Sequence, residues 1–347
     1  MSLEFNHFPL LCPVCHALLQ RNERAFSCRQ LHSFDVAREG HVNLLQTKRK
    51  RKVMGDTKEM LRARRAFLEK DYYYLLSDGI NRWIGDHIGE QVTKTKHREE
   101  QDQRKKCSET RWMDKGMKPD NVFHIVDIGC GEGYYLGRLS NFLAQTYPDV
   151  LIRYCGVDLA KDAARYAAKR YTHLAQTSSL VCREVVDDRF SKQTDQQMLF
   201  IVADVTKRLL FPTAGQQTHE YRGIDIVLNI SAPRNPQEFA RVMAHGGLLI
   251  IVIPMPDHLA QLRSEFGLLN IEEAKREKIV VQLERDFQLA KSRVIRSTVE
   301  LKTVDLHNLI HMTPNHWHLS NKIQSQIESK PQFTTTFNFE MLQFRKI

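Results

Sequence analysis

The chain has 347 residues, 42% of them hydrophobic, enough to bury the core of one large domain or of two to three smaller ones. Lysine and arginine number 51 against 41 acidic residues, a formal charge of +10 that favours a polyanionic partner. The seven cysteines are odd in number and unevenly spaced, which argues against a disulfide framework, and no apolar run is long enough to span a bilayer. No charged-then-apolar leader opens the chain, so a cytoplasmic protein with no membrane partner is expected.

The first segment, residues 1–45, holds Cys12, Cys15, Cys28 and His32 at C-x2-C-x12-C-x3-H spacing. A thiolate pair two residues apart chelates one edge of a tetrahedron, and a second pair arrives from a separate knuckle. Four protein ligands leave no open position, so the zinc (Zn2+) would be structural. His16 and His41 are alternative nitrogen ligands, and buried small cysteines are the bland alternative. A segment this short cannot hold a core by burial alone, so the metal would staple it.

Residues 46–92 read as a basic and helical connector. Residues 46–65 carry nine basic residues against two acidic, including the run Lys48–Lys52, which could cradle phosphates or simply be a solvated arm. A helix is expected from Asp56, with Asp56 as cap and Glu59 reaching back. Apolar residues at helical spacing then predict two helices broken near Asp71–Tyr73. Tyr72, Tyr73, Tyr74 and the distant Trp317 could stack on bases, although core packing is the commoner fate of such rings. Residues 93–118 are charged and nearly free of apolar side chains, so a flexible insertion is expected over about 93–120.

From residue 121 the pattern is that of a Rossmann-like domain. Strands are expected over 122–128, 151–157, 199–203, 224–230 and 248–253. Helices are expected over 134–147, 160–172 and 237–244, the last capped by Gly246-Gly247. The stretches 175–198 and 206–222 read as loops. Continuous apolar strands alternating with helices argue an α/β fold, a mostly parallel, doubly wound sheet covered on both faces.

The first of these strands runs into Val126-Asp-Ile-Gly-Cys-Gly-Glu-Gly133. Gly129, Gly131 and Gly133 let the backbone curl and a ligand approach it, with Glu132 between them. The spacing is G-x-G-x-G, not the dinucleotide G-x-G-x-x-G. Asp127 before the first glycine would repel a pyrophosphate and suits the cationic methionine end of S-adenosyl-L-methionine (SAM). Asp158, ending the second strand, is placed for the ribose hydroxyls, and Asp204, after the third, for the adenine amino group. Strand-end acids that merely cap helices are the alternative. Asn229 and Ser231 end the fourth strand, where such sheets line a ligand crevice, and could position a base edge.

These motifs together resemble the RlmA-type 23S rRNA (guanine-N1)-methyltransferases. The resemblance is carried by Cys12-Pro-Val-Cys15, the run His32–Leu45, Gly55-Asp56 with Ala63-Arg-Arg-Ala-Phe-Leu68, Val126–Tyr135, Ala232-Pro233 and Met312-Thr-Pro314. It implies a zinc module that recognises RNA, a SAM domain and methylation of guanine N1 in hairpin 35 of 23S rRNA. It also implies a homodimer. By motif position it implies that Tyr73 and His258 contact SAM. The competing readings are a SAM-dependent methyltransferase acting on another RNA, a protein or a small molecule, and a zinc-bearing RNA-binding protein with an inactive SAM domain.

Overall fold

The computed structural model describes residues 8–46, 55–106, 122–178, 198–215, 221–272 and 274–347, without the side chains of 98–106, 172–178 and 318. The basic run Lys48–Lys52 and most of the stretch 175–198 lie outside the described residues.

The chain opens with short strands β1 (Leu10–Leu11), β2 (Leu18–Arg21), β3 (Ala25–Cys28), β4 (Ser33–Asp35) and β5 (His41–Asn43). The first four form an antiparallel sheet in sequential order. Helices α1 (Lys58–Leu68) and α2 (Tyr74–Lys106) follow. The break expected near Asp71–Tyr73 is present, with Asp71 at positive φ. The cap differs from expectation. Thr57 accepts from the Met60 N–H, while Asp56 pairs with Arg64 at 2.6 Å. The expected flexible insertion begins as a continuation of α2, which runs through residues 93–106. Charged side chains do not by themselves end a helix that is anchored by an apolar first half.

The remaining elements are β6 (Val122–Ile128), α3 (Tyr134–Thr146), β7 (Leu151–Asp158), α4 (Lys161–Ser178), β8 (Met198–Val202), β9 (Ile224–Ile230), α5 (Pro236–Val242), β10 (Met243–Pro254), α6 (Ala260–Phe266), α7 (Lys275–Leu283), β11 (Phe287–Lys302), α8 (Thr303–His311), α9 (Asn321–Glu328) and β12 (Gln332–Lys346). A short 3-10 turn, Pro314–His318, follows α8. The expected glycine C-cap after α5 is not one. Gly246 sits at φ +76 inside β10, where the register against β9 shifts between Met243 and Leu248.

The main sheet has eight strands in the order β11-β12-β10-β9-β6-β7-β8-β5. It is parallel from β10 to β5, with β12 antiparallel to β10 and β11 antiparallel to β12. The central strands are buried on both faces, as their mostly apolar residues require. One face packs against α1, α2, α3, α4, α8 and α9. The other packs against α5, α7 and the small N-terminal sheet, whose Phe8, Leu10, Leu19 and Phe26 share a core with Val126, Ile128 and Val157. Strand β5 extends the main sheet beside β8, and the Leu11 N–H donates to the Leu210 carbonyl at 2.8 Å. The small sheet is therefore built onto the large domain. Chain order reverses between β6 and β9, and the crevice of an open α/β sheet lies at the carboxyl ends of strands at such a point.

Candidate cofactor cavity and metal centre

In the N-terminal sheet, the β1–β2 turn carries Cys12 and Cys15, Cys28 ends β3 and His32 lies in the β3–β4 turn. His16 and Leu31 take positive φ within the two tight turns. The four ligand atoms lie within 4.8 Å of one another. Cys12 Sγ to His32 Nδ1 is 3.6 Å, Cys28 Sγ to His32 Nδ1 is 3.4 Å and Cys15 Sγ to Cys28 Sγ is 3.6 Å. Tetrahedral zinc with bonds of about 2.0–2.3 Å has edges of about 3.5–3.8 Å, so the donor set fits the ion. The Val14 N–H points at Cys12 Sγ (3.4 Å), as a thiolate in a knuckle needs. His16 and His41 stay outside this cluster.

The second site is a cavity of about 450 Å³ at the β6/β9 crevice, within the range of small-molecule sites. Its floor is Asp127, Gly129, Cys130, Gly131 and Glu132. Gly129 has φ +80, and a Cβ there would stand 2.4 Å from the Ala232 Cβ. The loops after β6 and β9 can meet only because residue 129 has no side chain. Asp127 is 1% exposed, and its Oδ2 has no hydrogen-bond partner. Burial, and then the neighbouring Asp158, push its carboxyl up to about 7. A buried carboxylate oxygen left unpaired beside a cavity is a receptor for a cation, and the ammonium of SAM has the right charge and size.

Asp158 receives the Gly131 N–H (2.9 Å) and the Ala160 N–H (2.8 Å), and so holds the glycine loop from behind. Glu132 is buried in the cavity wall with one oxygen paired to Arg170 at 3.2 Å and the other unpartnered. Gly133 starts α3 in a left-handed conformation, under the ring of Tyr171. Neither Asp158, Gly133 nor Asp204 is among the residues that line the cavity. Asp204 accepts from the Thr206 N–H and hydroxyl (3.0 and 2.6 Å). Burial would raise its carboxyl, but Thr206 and Lys207 outweigh it and hold it low.

Tyr73 and His258 both line the cavity. Tyr73 is fixed by edge-on contacts with Phe67, Phe337 and Phe339. His258 Nδ1 accepts the Asn338 N–H at 3.1 Å, which leaves the proton on Nε2. Burial and then Arg263 push this imidazole down to about 4, so it is neutral at pH 7.

The pair Asn229 and Ser231 divides. Asn229 is fully buried, donates to the Pro233 carbonyl (3.0 Å) and accepts from Arg234 (3.2 Å), so it straps its own loop. Ser231 reaches the cavity from a strained backbone with φ +51. On the same side stand Glu272 and the half-buried Lys275, beside Arg234. Of the aromatic candidates, Tyr72 stacks on Phe67 and donates to Asp305, which is a core role, whereas Tyr74 and Trp317 are exposed. Arg64, Tyr135, Met312 and Asn315 also line the cavity. In the sequence Arg64 is one charge of a basic segment and one position of the Ala63–Leu68 motif, and nothing local says which of several arginines turns inward.

The sequence comparisons agree with this picture. Residues 10–52 match the zinc-ribbon family described as RlmA, N-terminal. The chain is 28% identical to the 23S rRNA (guanine(748)-N(1))-methyltransferase of Streptomyces fradiae over 309 residues, 89% of this chain and 86% of that one. It is also 28% identical to a Micromonospora griseorubida protein provisionally named a 23S rRNA (guanine-N(1)-)-methyltransferase, over 89% of this chain and 87% of the relative. A crystal structure from Bacillus halodurans C-125, provisionally titled a methyltransferase, is similar at TM-score 0.39 and 15% identity, over 65% of this chain and 93% of that one. The resemblance read in the sequence is borne out. The N-terminal segment matches the RlmA zinc-ribbon model, and the likeness to guanine-N1 methyltransferases runs through most of the chain.

Proposed function

We propose that this chain transfers the methyl group of SAM to N1 of a guanine in 23S rRNA, in the hairpin 35 region. The observation that carries the reading is a Cys3His ribbon built onto the same sheet whose crevice holds the unpaired Asp127 carboxylate. A small-molecule methyltransferase has no need of the ribbon or of the basic residues that follow it.

In this reading residues 1–45 form the RNA-recognition module, 46–92 tie it to the catalytic domain, and 121–347 carry the chemistry. The chain acts as a homodimer in the cytoplasm. Among the described residues no helix is long and apolar enough to cross a membrane. Cys12, Cys15, Cys28 and His32 hold zinc and thereby fix the two turns of the ribbon.

Guanine N1 lies on the Watson–Crick edge, so the target base must be unpaired or swung out to reach the cavity. Bound SAM supplies a methyl group that its sulfonium has already activated. Asp127 and the glycine loop anchor the methionine end. Tyr73 and the neutral His258 close the walls and exclude water. As the N1 proton is lost to solvent, negative charge spreads onto guanine O6. Ser231 and the half-buried Lys275 and Arg234 place a donor and positive charge on that side of the cavity, while the walls supply the alignment for in-line transfer.

The test is transfer of labelled methyl from SAM to 23S rRNA made in a strain lacking this gene, followed by digestion to nucleosides. Label in 1-methylguanosine that maps to hairpin 35 is the expected result. Label in another nucleoside would keep the enzyme class and discard the guanine-N1 assignment. Label in neither naked RNA nor ribosomal particles would overturn the rRNA reading.

A further inference from the structure

We infer that Arg64 receives the carboxylate of SAM, completing an α-amino-acid clamp whose other half is Asp127. The inference rests on the SAM site, not on the rRNA substrate.

The methionine end of SAM carries an ammonium and a carboxylate on one carbon. Whatever holds them must offer opposite charges a few ångströms apart. Asp127 offers the negative half through its unpartnered Oδ2. The floor around it is already acidic, with Glu132 buried in the same wall. A second carboxylate entering there needs a cation at the glycine loop.

Three basic side chains line the cavity: Arg64, Arg263 and Lys275. Arg263 is turned to its own loop, where it donates to the Pro256 carbonyl and, at 3.5 Å, to Asn270. Lys275 stands beside Arg234 and Glu272, whose charges act on it. Arg64 is at the loop itself. Its Nη1 is 3.1 Å from the point where a Cβ on Gly131 would stand. It also acts electrostatically on Tyr73 and Tyr135, and Tyr135 feels both Arg64 and Asp127. The guanidinium and the carboxylate thus both act on one tyrosine.

The guanidinium is held in place before any ligand arrives. Nη1 pairs with Asp56 at 2.6 Å, and Nη2 donates to the Met312 carbonyl at 3.0 Å. An arginine has five N–H donors in a rigid fork, so these two partners leave donors for a carboxylate. The arrangement has a structural consequence. Asp56 belongs to the connector from the zinc ribbon and Met312 to the end of α8, so the SAM carboxylate docks where both meet the glycine loop.

The experiment is calorimetric binding to the full chain with three probes: SAM, decarboxylated SAM and 5′-methylthioadenosine. Decarboxylated SAM keeps the ammonium, and methylthioadenosine lacks the amino acid altogether. Wild type should prefer SAM to decarboxylated SAM by about tenfold or more. Arg64→Met should weaken SAM by about 10- to 100-fold and change decarboxylated SAM by less than about threefold, with Arg64→Lys between. Asp127→Asn should weaken both SAM and decarboxylated SAM but not methylthioadenosine. Equal losses for SAM and decarboxylated SAM in Arg64→Met would overturn the inference. So would a wild-type preference near one, which needs no variant and stands even where Arg64→Met fails to fold. Failure of all three probes to bind wild type would overturn the cofactor assignment and this inference together. Binding without rRNA methylation would leave the clamp standing and remove only the substrate reading.

Discussion

Asp127→Asn should make the cofactor-free protein more stable at neutral pH while it damages the cofactor site. The carboxyl is 1% exposed with one oxygen unpartnered, and its folded-state value is about 7, set first by burial and then by Asp158. An unfolded chain holds an aspartate near 4. Because the folded value is raised, this group's contribution is fully present below about pH 4 and is lost as pH rises through 7. Three decades of proton affinity at about 1.4 kcal/mol each make a total of about 4 kcal/mol, of which roughly 2.5 kcal/mol is lost between pH 5 and 8. Urea denaturation of the cofactor-free chain at pH 5 and pH 8, wild type beside the variant, reads this directly. Wild type should lose about 2.5 kcal/mol more than Asp127→Asn over that interval. In the same samples wild-type affinity for SAM should rise with pH up to about 7, since the ammonium needs an ionised partner, and the variant should lack that rise. Identical pH slopes of stability in the two proteins would refute the account of a desolvated, cation-seeking carboxylate.

Gly129→Ala and Gly246→Ala separate backbone strain from packing. Both glycines have positive φ, but a Cβ meets Ala232 at 2.4 Å only at 129 and nothing within 4 Å at 246. Each should lose about 1–2 kcal/mol to conformation, and position 129 a further 1–3 kcal/mol to overlap, as read from urea midpoints. Equal losses would contradict the close approach of the two loops. Removal of one zinc per chain by a chelator should abolish hydrogen-exchange protection in β1–β4 and lower rRNA methylation more than about tenfold, with SAM affinity within about threefold. Unchanged protection would show that apolar packing on the main sheet, not the metal, holds the ribbon. Asn229→Ala should cost about 1–3 kcal/mol of stability, because the Pro233 carbonyl and Arg234 lose their partner, and should lower turnover more than SAM affinity. Equal loss of turnover and affinity would sink its part in shaping the acceptor side.

Much of the molecule is written locally in its amino acids. The four zinc ligands follow from their spacing, because chelation by two tight turns is a short-range demand. Strands β6, β7, β8 and β9 follow from apolar runs, because a strand covered on both faces has no polar side. The glycine loop follows from a backbone that side chains would block. Other features depend on partners far away in the chain. Strand β11 exposes most of its residues and finds its place through fifteen paired positions with β12. The three residues of β5 become the edge of the main sheet only because the ribbon is packed on its face. Asn229 and Ser231 look alike in the sequence, yet the strap to Pro233 turns one into the core and left-handed backbone turns the other into the cavity. Arg64 is one of nine basic residues in its segment, and only the meeting of α1, the glycine loop and the end of α8 selects it. Residue types and spacing therefore determined the chemistry available to this chain: a thiolate-and-imidazole metal site, and a carboxylate beside a glycine turn. Tertiary structure decided which side chains share the cavity, because long-range packing and register set where each one points.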